Sequence, residues 1–114
     1  AMVPGERAGL DLDLVFRVIG DGAGASRMFQ VRGPLMVAGN YLPPHMKSEI
    51  YQKDIHIIDA YARKLKCPTP LFTRSLPLYT AALRQGWGEH DTAAIHAALR
   101  KQAGLRGKPR RRGA

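Results

Sequence analysis

Ile19-Gly20-Asp21-Gly22-Ala23-Gly24-Ala25-Ser26 contains a literal Gly-x-Gly-x-x-Ala, the spacing of a phosphate-cradling turn. That turn works only with a strand before the glycines, a helix after them, and an acid about 20 residues on at the end of a second strand. The preceding run Leu12-Asp13-Leu14-Val15-Phe16-Arg17-Val18-Ile19 does not alternate, whereas Leu14, Val15, Val18 and Ile19 share one face of a helix. Residues 40–46 (Asn-Tyr-Leu-Pro-Pro-His-Met) supply neither the acid nor the strand. The glycines therefore read as a helix stop. Gly20 and Gly22 are expected in left-handed conformations that allow close backbone approach. This reading sends the whole chain toward an all-α fold.

Working outward, Asp11 or Asp13 can cap the helix through Ile19, and Ser26 can cap a short one through Arg32 that Gly33-Pro34 ends. Residues 35–44 read as a surface crossing closed by Pro43-Pro44. A long helix follows over about 46–66. Thr69-Pro70 opens another running to Gly86, with Pro77 inside it and a kink expected there. Asp91 caps a last helix over 92–103, ended by Gly104. No segment reads convincingly as a strand, so the expectation is about five helices around the long one.

With 114 residues the chain is one domain. No apolar run approaches the roughly 20 residues that span a bilayer. The first residues lack the basic-then-apolar order of a signal peptide, and a single cysteine, Cys67, fits a reducing cytoplasm. The net charge of +9 is unevenly placed: residues 100–114 hold seven of the 18 Lys and Arg and no acid, leaving 11 basic and nine acidic residues in 1–99. Residues 1–6 are expected to be a disordered or cloning-derived start, 7–103 the helical domain, and 104–114 a basic disordered tail. Such a tail would attract phosphate backbones weakly and with strong salt dependence.

The long helix carries an anomaly. At about 100° per residue, Ile57, Ile50, Tyr61, Leu65, Ile58, Tyr51 and Ala62 make one apolar sector. Asp54 falls inside it, and Lys53 lies at its edge beside Ile57 and Lys64. A carboxylate in a packed stripe costs several kcal/mol unless it is paired or hydrogen-bonded. Either Asp54 caps a helix end or pairs with an arginine, or the stripe borders a polar cleft at that level. In the second case Lys53 presents positive charge to an anionic ligand.

Other chemistry is sparse. His45, His56, His90 and His96 are too scattered to suggest a metal site. Cys67 reads as inert, and Trp87 between two glycines as a packing anchor. Nothing in the chain forms a complete active site, so no catalytic residue is assigned.

Taken together, Ala8-Gly9-Leu10-Asp11, Gly22-Ala-Gly-Ala-Ser26, Arg32-Gly-Pro34, Leu42-Pro43, Lys53-Asp54, Cys67-Pro-Thr-Pro-Leu71 and Gly86-Trp-Gly-Glu-His-Asp91 resemble the C-terminal domain of the β-hydroxyacid dehydrogenases. That group includes 3-hydroxyisobutyrate dehydrogenase, tartronate semialdehyde reductase and L-threonate dehydrogenase. The resemblance covers about residues 7–103 and implies a 6-phosphogluconate dehydrogenase C-terminal-like fold. Members carry an N-terminal Rossmann domain and a long interdomain helix before such a domain, which closes the cleft over the cofactor and builds much of the dimer interface. It implies that Lys53 contacts NAD or NADP, and that Asp54 and Met46 shape the substrate pocket. The family's glycine fingerprint, Ser-Gly-Gly segment and catalytic Lys-Asn motif have no counterpart in these residues.

The expected function is thus the cleft-closing and dimerisation domain of an NAD(P)-dependent dehydrogenase acting on a short hydroxy acid in the cytoplasm. By itself the chain is expected to be inactive and to form a homodimer, with no membrane partner and no specific nucleic acid. The rival is a small basic helical interaction module that binds nucleic acid weakly through residues 104–114.

Overall fold

The computed structural model describes residues 1–109 and residue 111, and among them there is no β-strand. Six α-helices follow one another: α1 (Met2–Arg7), α2 (Leu12–Gly20), α3 (Arg27–Ala38), α4 (Ser48–Lys64), α5 (Pro70–Arg84) and α6 (Ile95–Gln102). A 3-10 turn, Thr92–Ala94, leads into α6. The segment before the glycines is helical, so the literal fingerprint has no strand to open from.

Local chemistry explains most boundaries. Asp11 caps α2 by accepting from the backbone N–H of Asp13 at 3.0 Å, and Ser26 caps α3 by accepting from that of Phe29 at 3.0 Å. Pro70 occupies the first turn of α5, where no N–H is needed, and the helix runs on through Pro77. Gly20 and Gly22 are not left-handed, contrary to expectation. Gly20 is the last residue of α2, and Gly22 lies so close to Val18 that a Cβ would come within 3.3 Å of its carbonyl oxygen.

Two further expectations need correction. Gly33-Pro34 does not end α3; the helix continues to Ala38 and stops at Gly39, which is left-handed at φ 62°. Stopping at residue 32 would strand Val37, which is buried in the core, and Met36, which packs on it. That burial outweighs the one ladder hydrogen bond Pro34 removes. The start of the chain is helical, with Met2, Gly5 and Glu6 buried, because Met2 joins Leu12 and Val37 in a core cluster.

Residues expected as an unpacked tail are in part held against the domain. The Arg100 guanidinium donates to the Gly107 carbonyl at 2.8 Å, Arg111 pairs with Asp13 at 3.1 Å, and Pro109 is buried. The Pro109 ring sits only 2.5 Å from where a Cβ on Gly39 would lie, so that glycine serves both a left-handed turn and a close contact. Residues 110 and 112–114 of that segment lie outside the described residues.

Tertiary packing places α4 against α5 and α5 against α6, while α2 packs on α3 and α1 joins α2 to α6. Met2, Leu12 and Val37 form one core cluster, and Tyr41, Ala93 and Ala94 another; Met36 touches both. Trp87 meets Tyr41 edge-on at 5.4 Å, as a packing anchor should. Between α1 and α6, Glu6 accepts two hydrogen bonds from Arg100, at 2.9 and 2.7 Å, so a buried charge pair closes the domain.

Candidate functional site

The loop entering α4 is fixed by one buried carboxylate. Asp91 Oδ2 accepts from the backbone N–H groups of His45 (2.8 Å) and Met46 (3.2 Å), while Oδ1 accepts from that of Ala93 (2.8 Å). Arg32 of α3 stands 3.4 Å from Oδ1 and donates to the Thr92 hydroxyl at 2.8 Å. Burial alone would raise the Asp91 carboxyl; the three backbone donors and the Arg32 charge outweigh it and hold it below its ordinary value. Ser48 donates to the His90 and Asp91 carbonyls, which locks the first turn of α4 to the segment before α6.

Beside this hub lies a cavity of about 480 Å³ whose lining includes Met28, Phe29, Arg32, Met46, Tyr51 and Tyr79. Tyr51 and Tyr79 meet edge-on at 4.9 Å. The Tyr79 hydroxyl is raised, first by burial and then by Tyr51, with Arg32 opposing. Met46 thus stands at a mostly apolar hollow with one cationic wall. A larger depression of about 560 Å³ on α5, between Thr73 and Gln85, holds none of the expected site residues.

Lys53 and Asp54 are not part of either lining. Tyr51 is the α4 residue nearest to them that reaches the cavity of Met46, and from it Asp54 is turned by about 60° and Lys53 by about 160°. The structure therefore does not gather Met46, Lys53 and Asp54 into one pocket. Instead it resolves the α4 anomaly. The packed face of α4 centres on Ser48 and Ile55, the latter 2% exposed, a full 100° from Asp54 on the wheel. The apolar stripe around Asp54 is left outward: Ile50, Ile57, Ile58, Tyr61 and Leu65 are each between 45% and 62% exposed. Among the described residues Asp54 neither caps a helix nor pairs with an arginine, and Lys53 is exposed and paired with no acid. The stripe is not core. It is a greasy surface with a carboxylate at its middle and an ammonium at its edge.

Sequence reasoning identified Asp91 as a helix cap and missed its grip on residues 45 and 46. That grip spans some 45 positions, and no local pattern reports it. Arg32, in the Arg32-Gly33-Pro34 stretch, carries no local signal of a role; its place against Asp91 and Thr92 supplies one.

The family described as NAD-binding of NADP-dependent 3-hydroxyisobutyrate dehydrogenase matches residues 1–99. L-threonate dehydrogenase of Escherichia coli strain K12 is 36% identical over 95 residues, which are 83% of this chain and 31% of the relative. The cytokine-like nuclear factor N-PAC of Aedes aegypti is 30% identical over 95 residues, 83% of this chain and 17% of that protein. The crystal structure of 3-hydroxyisobutyrate dehydrogenase from Salmonella typhimurium superposes with a TM-score of 0.78 at 33% identity, covering 84% of this chain and 33% of its own. The chain spans about a third of the length of the L-threonate dehydrogenases it matches.

Proposed function

The chain belongs to the NAD-binding family of NADP-dependent 3-hydroxyisobutyrate dehydrogenases, and on that premise we propose that it is the helical domain that closes the cofactor and substrate cleft of a cytoplasmic NAD(P)-dependent β-hydroxyacid dehydrogenase. One observation carries this reading: α4 and its cap residue Leu65 turn five large apolar side chains outward around Asp54, with Lys53 free at the edge. A contiguous apolar patch on a monomer marks an interaction face. The charges within it mark what the face meets.

The residues fit an anionic nucleotide. The Lys53 ammonium is exposed and paired with no carboxylate among the described residues, so it is available to a phosphate or carboxylate. Ile50 and Ile57 beside it would exclude water and strengthen that attraction in the closed cleft. The nicotinamide would supply the hydride exchanged with the hydroxyl-bearing carbon of a short hydroxy acid. Asp54 would shape the substrate side, and Met46 would support the entry to α4 from the neighbouring cavity. No group here moves the reacting proton, so the chain by itself is expected to show no turnover. It is expected to form a homodimer.

A nucleic-acid module has less support. Part of the basic excess serves internal contacts, Arg100 with Glu6 and Arg111 with Asp13. No helix among the described residues is long and apolar enough to cross a membrane.

The test replaces the matched 95-residue segment of E. coli K12 L-threonate dehydrogenase with the corresponding part of this chain. The hybrid should oxidise a short hydroxy acid with NAD or NADP. Lys53→Ala should lower kcat/KM about tenfold or more while leaving thermal stability within about 0.5 kcal/mol, because the side chain is exposed. A hybrid that turns over equally well with and without Lys53 would remove the lysine from the site.

A further inference from the structure

The cavity that Arg32 shares with Tyr51 and Tyr79 holds a cation the domain does not use up. We propose that it binds a monocarboxylate whose aromatic or branched aliphatic body is larger than a short hydroxy acid. The inference goes beyond the cleft-closing reading, since neither Lys53 nor Asp54 belongs to this lining.

Arg32 carries the argument. Its side chain is only 21% exposed. Nε donates to the Thr92 hydroxyl at 2.8 Å, with Asp91 Oδ1 at 3.4 Å, and Nη1 donates to the Met28 thioether at 2.9 Å. Nη2 has no hydrogen-bond acceptor among the described residues. A guanidinium offers five N–H groups in a fixed fork, and a largely buried one rarely leaves part of that fork empty. No acidic residue lines the cavity to fill it. A planar carboxylate is the acceptor such a fork takes with two parallel bonds. Tyr79 adds to the polar end: its hydroxyl lies near enough to Arg32 for that charge to lower it against burial and Tyr51.

The rest of the wall calls for carbon. Met28, Met36 and Met46 bring three thioether chains and Phe29 a ring. Methionines adapt their shape to irregular apolar bodies. The volume of about 480 Å³ lies within the range of about 300–1,000 Å³ usual for small-molecule sites. Met28 is 52% exposed, which leaves a way in. Inorganic phosphate or a short hydroxy acid would occupy the polar end and leave this wall uncovered. Asp91 already offsets part of the Arg32 charge, so affinity should be modest, with a Kd on the order of 1 mM for hydrocinnamate.

Titrating hydrocinnamate into the 114-residue chain, with its methionine methyl groups labelled for NMR, tests this. The chain has four methionines, and Met2, in the core cluster with Leu12 and Val37, is the internal reference. The signals of Met28, Met36 and Met46 should move together along one saturation curve while Met2 stays in place. The neutral amide of the same acid should bind at least about tenfold more weakly, and so should acetate, which has the carboxylate without the body. Arg32→Gln should erase the preference for acid over amide, with circular dichroism confirming unchanged helicity. Tyr79→Phe, which keeps the ring, should lower affinity about threefold or more. Lys53→Ala should leave affinity within about twofold, because that side chain is exposed and outside the lining.

Equal binding of acid and amide by the parent chain would overturn the role of Arg32, whether or not Arg32→Gln folds. Three unmoved methyl groups up to about 20 mM, or equal movement with inorganic phosphate, would overturn the ligand class. Loss of binding in Lys53→Ala would put the ligand in the cleft and overturn the separate site. Intact hydrocinnamate binding beside an inactive hybrid dehydrogenase would sustain this site while sinking the cleft reading.

Discussion

Replacing Asp91 tests the hub on which the entry to α4 depends. Its carboxylate accepts three backbone N–H groups, at 2.8, 2.8 and 3.2 Å, and faces Arg32 at 3.4 Å, with no exposure of its side chain. Asp91→Asn can keep the acceptor that caps Ala93, but it turns either an amide NH₂ or a neutral oxygen toward His45 and Met46. One or two buried donors then lose their partner at about 1–3 kcal/mol each, and Arg32 loses its counter-charge. Asp91→Ala removes the cap as well, a further loss of about 1 kcal/mol. The sum, about 3 kcal/mol for Asn and about 4 for Ala, is a large share of the 5–15 kcal/mol typical of a domain. At about 4–6 °C per kcal/mol, Asp91→Asn should melt about 12–18 °C below the parent when ellipticity is followed against temperature. Asp59→Asn serves as the reference, since its partner Arg63 is 76% exposed and the pair spans one helical turn; its loss should stay under about 0.5 kcal/mol. Equal melting of Asp91→Asn and Asp59→Asn would refute the reasoning. The pH dependence has a definite sign. The folded carboxyl is held down, so its contribution is present above the unfolded value of about 3.9 and is lost as pH falls through the lower folded value.

Other consequences can be measured alongside. His96 is buried, accepts or donates at Nδ1 to the Tyr41 hydroxyl at 3.0 Å, and is pushed down to about 4 by burial and by the Arg100 charge, with Glu6 opposing. Its unfolded form binds the proton first, so stability should fall as pH drops from about 6.5 toward 4, by a few kcal/mol in all, and then level off. Urea titrations at pH 7 and 5 should show this slope in the parent and a flatter one in His96→Gln. Gly33 packs on the Phe16 ring, and a Cβ there would stand 2.4 Å from a ring carbon. Gly33→Ala should therefore cost about 1–2 kcal/mol despite the helix propensity it gains; a raised melting temperature would count against that contact. In the hybrid dehydrogenase, Lys53→Ala should separate activity from stability as described above.

Much of the fold was readable locally, because its signals are local. The non-alternating run before Gly20, the caps at Asp11, Ser26 and Asp91, and the Thr69-Pro70 start each act within one helical turn, and each helix appears where they place it. The failures share a cause. Gly33-Pro34 is a strong local stop that the burial of Val37 overrules, and the helical start at Met2–Arg7 depends on partners in α2 and α6.

The site divides in the same way. Sequence alone determined that α4 is a helix with an acid inside an apolar sector and a lysine at its edge, since periodicity places side chains around an axis without reference to neighbours. Which sector would be packed was beyond it, because an apolar stripe reads the same whether it meets the core or a partner. Tertiary packing decided that: α5 and the turn before α6 pack on the side of α4 that buries Ser48 and Ile55. Asp91 holds α4's entry in that orientation across the fold, and the greasier side is left facing outward.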